Sequence, residues 1–88
     1  MKLEEILALI TDQKIMLKLL KDLTTPKELK SLQERLDIVF LLNEGLSYVD
    51  ISQQIGVSTT TITRVSRFLK QEKNGGYRWL INNLNSII

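Results

Sequence analysis

Apolar residues in this chain recur at helical spacing. Leu3, Ile6, Leu7 and Ile10 fit the i, i+3, i+4, i+7 pattern, and Ile15, Met16, Leu19, Leu20 and Leu23 form a second stripe that begins just past Thr11-Asp12. Both stripes predict amphipathic helices. Thr25-Pro26-Lys27-Glu28 then writes a helix start in full: a hydroxyl for the N-cap, a proline at the first helical position where its missing N–H costs nothing, and a glutamate to complete a capping box. The third helix is expected to run to about Asn43 and to stop at Gly45. Its second half, with Leu36, Ile38, Val39, Phe40, Leu41 and Leu42, is apolar around most of its circumference, which implies cover on several sides. Interleaved subunits would supply that cover, and so would a monomeric bundle with this helix at its centre.

After Gly45, residues 47 to 57 predict a short helix capped by Ser47 and closed by Gly56, with Val49, Ile51 and Ile55 as its apolar positions. A fifth helix follows Ser58, with Ile62, Val65, Phe68 and Leu69 on its apolar face and Thr59, Thr60, Thr61, Thr63, Arg64, Ser66 and Arg67 assigned to the others. Asn74-Gly75-Gly76 breaks it, and Tyr77, Leu80, Ile81, Leu84, Ile87 and Ile88 mark a sixth. The expected fold class is all-α, with six helices.

The fourth and fifth helices meet the demands of a helix-turn-helix. Ile51, Ile55, Ile62 and Val65 give the pair its apolar contacts, Ser52 is small where the helices approach, Gly56 permits a positive φ in the turn, and Val57 plugs the corner. The second helix of the pair opens with four short hydroxyl residues, Ser58 to Thr61, which are poor helix formers and therefore invite a use. Short side chains let a helix N-terminus approach base edges, and hydroxyls donate to or accept from bases and phosphates. The simpler reading is that Ser58 caps and the threonines tolerate exposure.

Composition narrows the chemistry. The 88 residues include no cysteine and no histidine, which removes disulfides, thiol nucleophiles, sulfur or imidazole metal sites and the commonest general base. Asp50 and Glu72 are isolated, and nothing resembles a phosphate-binding glycine loop, so the chain is not expected to be an enzyme. No apolar run approaches the roughly 18 residues a membrane span needs, and the N-terminus lacks a signal-peptide pattern, so a cytoplasmic location without a membrane partner is expected. A core of this size leaves much surface uncovered, so stability borrowed from a second subunit is expected.

The net charge is only +2, but residues 46–88 carry five basic residues against Asp50 and Glu72. Four of the five, Arg64, Arg67, Lys70 and Lys73, recur every three residues and sweep around the fifth helix as a drifting stripe suited to phosphates, or to ordinary solvation. Gln53 and Gln54 on the preceding helix point to backbone contacts. Tyr77 and Trp79 lie beyond the glycines and read as core or interface residues, so stacking on single strands is not expected.

The segment TPKELKSLQERLDIVFLL (Thr25 to Leu42), then Gly45, then IGVSTTTITRVSRFL (Ile55 to Leu69) and a tryptophan-containing last helix, resembles the tryptophan repressor family. The closer resemblance is to its branch of small Trp-repressor-related proteins. It covers residues 15 to 84, and TITR at Thr61 to Arg64 is its most specific piece. The resemblance implies an intertwined homodimer over residues 1–88, with 1–45 and 75–88 forming the dimer core and 47–72 the helix-turn-helix. It also implies a regulator of double-stranded DNA, with two recognition helices entering major grooves about 34 Å apart on an inverted repeat. DNA-contacting residues are expected to be Ser58, Thr59, Thr60, Thr61, Thr63, Arg64, Arg67, Lys70 and Gln53, with Thr59, Thr60 and Thr63 at base edges.

The ligand site carries over in part. Arg35 and Arg64 match the arginines that hold tryptophan in the family and Thr25 matches a threonine lining the neighbourhood, but the glycine that follows the second arginine in tryptophan-binding members is Val65 here. An isopropyl group takes space that an indole needs. The expectation is a repressor with no cofactor, in which Val65 substitutes for the ligand. The alternatives are a repressor that depends on tryptophan or another small molecule, and a helix-turn-helix that docks on protein. No segment for recruiting a polymerase is visible, which points to repression rather than activation.

Overall fold

The computed structural model describes residues 1–71 and 73–84. Over that range the chain forms six helices, and no strand occurs among the described residues: α1 (Leu3–Leu9), α2 (Gln13–Leu23), α3 (Pro26–Asn43), α4 (Tyr48–Ile55), α5 (Thr59–Gln71) and α6 (Gly76–Asn82). Glu72, Ile87 and Ile88, singled out from the sequence, lie outside the described residues. The chain clusters into two units, Met1–Ser31 and Leu32–Ile88.

The first unit is built from caps. Asp12 accepts from the Lys14 N–H at 2.8 Å and starts α2, while the Thr24 hydroxyl donates to the Leu20 carbonyl at 2.7 Å where α2 ends. The capping box at Thr25 is complete. Glu28 N–H donates to Thr25 Oγ1 at 3.1 Å, and Thr25 N–H donates back to Glu28 Oε1 at 2.8 Å. The Thr25 N–H on its carboxylate first, and the Thr25 hydroxyl second, hold Glu28 below its ordinary pKa, against an opposing desolvation. Neither α1 nor α2 has a buried residue, and Leu3, Ile6, Leu9, Ile15, Leu17 and Leu23 are exposed, Leu9 to 68%.

The second unit contains the core. Ile38 and Val39 of α3, Ile51 of α4 and Ile62 and Val65 of α5 form one buried cluster, with Phe40, Leu41, Leu42, Leu46, Tyr48, Ile55, Val57, Tyr77 and Ile81 half-buried around it. The apolar second half of α3 is thus covered on several sides, as its pattern predicts. Burying side chains of this size contributes about 1.5–3 kcal/mol each before the entropy of ordering them is counted.

One assignment from the pattern is overturned. Ser66 was expected on a polar face of α5, yet it is 1% exposed, and the Tyr48 hydroxyl donates to its Oγ at 2.6 Å. Ser66 stands four residues after Ile62 and three before Leu69, on the apolar face, and the tyrosine satisfies its hydroxyl there. Trp79, read as core or interface, is 58% exposed in the single chain, so it is not core.

Candidate nucleic-acid interface

The pair α4 and α5 is held by named bonds at each point of the turn. Ser47 Oγ accepts from the Asp50 N–H at 3.1 Å and starts α4; Gly56 ends it in the left-handed region at φ 71°, its N–H donating to the Ser52 carbonyl at 2.9 Å. Ser52, expected to be small for close approach, does more. Its hydroxyl donates to the Val57 carbonyl at 2.6 Å and closes the turn on itself, with Val57 half-buried against the core.

Tyr48 ties the two helices together from the other side. Beyond its bond to Ser66, its ring lies 5.9 Å from the Lys70 ammonium. The bond to Ser66 lowers the Tyr48 phenol below its ordinary pKa; desolvation opposes this, and the charge and hydrogen bond of Lys70 reinforce it. Nothing in the sequence pattern marks Tyr48, because its partners stand 18 and 22 positions away.

The hydroxyls that open α5 divide into two groups. Ser58 is the N-cap: its Oγ accepts from the Thr61 N–H at 3.2 Å and lies 3.1 Å from the Thr61 hydroxyl. Ser58 thus caps α5, with Thr61 as its partner. The Thr63 hydroxyl donates to the Thr59 carbonyl at 2.8 Å. Among the described residues, the Thr59 and Thr60 hydroxyls have no hydrogen-bond partner, and both residues are exposed.

A groove of about 570 Å³ runs along the outer face of α5, lined by Thr59, Thr60, Thr63, Arg64, Arg67, Phe68, Gln71 and Lys73. Three cations, three hydroxyls and an amide thus share one surface, with half-buried Phe68 beneath them; the apolar stripe places Phe68 in the core, and the structure turns part of it to this groove. Lys73 and Gln71 join Thr59, Thr60, Thr63, Arg64 and Arg67 here, whereas Lys70 sits at Tyr48 and does not line the groove. A repeat of three drifts by about 60° per step on a helix of 3.6 residues per turn, which carries Lys70 away from Arg64; Lys73 lies past Gln71, the last residue of α5, and does not follow that drift. Gln53 is exposed on α4.

Each of the three residues matched to the family's ligand site has its own setting. Thr25 spends its hydroxyl on the capping box, Arg35 is exposed on α3 and absent from the groove lining, and Arg64 lines the groove. Val65 is 3% exposed, packed in the core cluster with Ile51 and Ile62.

Among the described residues no helix is long and apolar enough to cross a membrane, and no group of acidic side chains is placed to hold a metal. The chain matches the family model described as Trp repressor protein over residues 1–84, which extends the expected likeness back through α1. It is 46% identical over 48 residues to a Bacillus subtilis (strain 168) protein described as "Uncharacterized protein YerC". That match takes in 54% of this chain and 46% of YerC, less than half of that relative's length. No solved structure matches. With its all-helical architecture and a family match over nearly its whole length, the chain belongs to the Trp repressor family, a family of regulatory DNA-binding proteins.

Proposed function

We propose that this protein is a sequence-specific repressor that binds double-stranded DNA as a homodimer, with α4 and α5 as the helix-turn-helix and α5 in the major groove. The observation that carries the reading is the outer face of α5, where Arg64, Arg67 and Lys73 line one groove with the free hydroxyls of Thr59 and Thr60. The cations supply affinity by neutralising phosphates and releasing counterions, and the hydroxyls supply discrimination at base edges. Gln53 and Lys70 serve as backbone contacts beside that face, and Ser58 and Thr61 fix the helix start that approaches the bases.

The homodimer is supported by the uncovered apolar side chains of α1 and α2. Helices of 7 and 11 residues without a buried side chain are too short to persist alone, and a second copy offers the same stripes in return. Two recognition helices related by a dyad then read an inverted repeat. Val65 supports a repressor that is competent without tryptophan, since its isopropyl group already occupies core space.

The test is to mix the protein with sheared genomic duplex DNA near physiological salt, without added amino acids, and to sequence what is retained, with sedimentation giving the oligomeric state. An enriched inverted repeat held by a dimer is the expected result. Enrichment that needs tryptophan or a related amino acid would replace the cofactor-free reading with the ligand-dependent one. Failure to retain DNA under either condition would favour docking on protein.

A further inference from the structure

The three threonines proposed to face the bases are not chemically equivalent. Thr63 is exposed, but its hydroxyl proton is committed to the Thr59 carbonyl at 2.8 Å, one helical turn back. What Thr63 retains for a partner is its Cγ2 methyl group and a hydroxyl oxygen that can only accept. Thr60, one turn earlier on the same groove face, has its hydroxyl free to donate and accept. The methyl-bearing feature of the major groove is the 5-methyl of thymine, which marks an A·T pair without any hydrogen bond.

We propose that Thr63 is a specificity-determining residue that reads a thymine 5-methyl group through its own methyl, while Thr60 reads a neighbouring base edge by hydrogen bonding. The assignment rests on α5 entering the major groove as proposed above. It divides one row of threonines into an apolar reader and a polar reader according to where each hydroxyl proton is spent. The stripe of short hydroxyls that looks uniform in the sequence then specifies two different chemical features of the site.

The division is tested with the duplex that the wild-type protein selects from random DNA, in which each thymine of the half-site is replaced in turn by deoxyuridine, which lacks only the methyl group. Removing one buried methyl weakens binding about fourfold per half-site, or about fifteenfold when both half-sites are changed. We expect one such position for the wild type. Thr63→Val, which keeps the methyl and removes the hydroxyl, is expected to stay within about twofold of wild type. Thr63→Ser, which does the reverse, is expected to lose about fifteenfold on thymine DNA and to become indifferent to deoxyuridine at that position. Thr60→Val is expected to lose at least tenfold and to broaden the selected sequence. Urea midpoints confirm that each variant is folded.

The assignment fails if Thr63→Val loses as much as Thr60→Val, if no deoxyuridine replacement weakens the wild type, or if the selected half-site requires no thymine. In those cases the DNA-binding reading stands and only the division of roles falls. If the wild type selects no duplex at all, both fall together.

Discussion

Truncating Val65 probes whether the α4–α5 pair owes its geometry to a filled core. The side chain is 3% exposed and packs with Ile38, Val39, Ile51 and Ile62. Val65→Ala deletes two methyl groups, for which lost transfer free energy is about 1.6 kcal/mol and the cavity left behind adds about 1 kcal/mol. Alanine's better helix propensity returns about 0.5 kcal/mol, so the expected cost is about 2 kcal/mol. Val65→Gly removes a further carbon and frees the backbone, which brings the loss to about 4 kcal/mol, a large part of the stability of a domain this size. The assay is urea unfolding followed by circular dichroism at one fixed protomer concentration, with Val49→Ala on the exposed side of α4 as the reference. With a slope of about 2 kcal/mol per molar, Val65→Ala should lower the midpoint by about 1 M while Val49→Ala stays within about 0.25 M. Tryptophan is the second arm: a site already filled leaves the wild-type midpoint unmoved. A ligand at a hundred times its Kd stabilises by about 2.7 kcal/mol, so a clear rise with tryptophan would refute the filled-core argument. So would a Val65→Ala variant no weaker than Val49→Ala.

In the proposed dimer on DNA, Arg67→Ala would remove two phosphate contacts and should lower the slope of log K against log salt by about 2 on every duplex alike; an unchanged slope in a fluorescence titration would remove Arg67 from the proposed interface. Glu28 has a folded-state pKa depressed below its ordinary 4.5, so its contribution is present above that value and lost as pH falls through the depressed one. The stability difference between wild type and Glu28→Ala in urea should accordingly shrink as pH is lowered from 6 through about 4 toward 3; a difference that does not change with pH would contradict the capping-box assignment. Gly56→Ala meets no atom within 4 Å, so its cost is the left-handed backbone alone, about 1–2 kcal/mol by urea unfolding, and Gly56→Asn should recover part of it. An alanine variant as stable as wild type would show that the turn does not need its positive φ.

Helix boundaries were legible because this chain writes them in side chains that act locally. Thr25 with Glu28, Ser47 with Asp50, and the positive φ of Gly45, Gly56 and Gly75 each bind or bend backbone within a few residues of themselves. Periodicity also picked out Ile38, Val39, Ile51, Ile62 and Val65, which form the core, but it counted Val49, which is exposed, and left out Ser66, which is buried. Where residue type and residue position disagreed, position was right. Ser66 stands in register with Ile62 and Leu69, and only a partner on another helix can satisfy a serine there. The same distance explains why Tyr48 carries no signal of its own: its two partners are on α5, and a tyrosine next to an N-cap is otherwise unremarked.

The face of α5 was legible as composition and not as arrangement. Arg64, Arg67, Lys70 and Lys73 are one run in the sequence, but a spacing of three on a helix of 3.6 turns the run around the axis, and the structure divides it between the groove and the Tyr48 ring. The hydroxyl run divides likewise, into a cap made by Ser58 and Thr61, a back-bonded Thr63, and two free side chains at Thr59 and Thr60. Each division follows from a hydrogen bond or a ring contact whose geometry depends on rotamer and not on residue type. On the proposed reading of this face as the DNA-contacting one, discrimination among sequences depends on which donors remain unspent, so the two divisions decide what it can read. A list of basic and hydroxyl residues would have made all of them equivalent, and the internal bonds of α5 are what make them unequal.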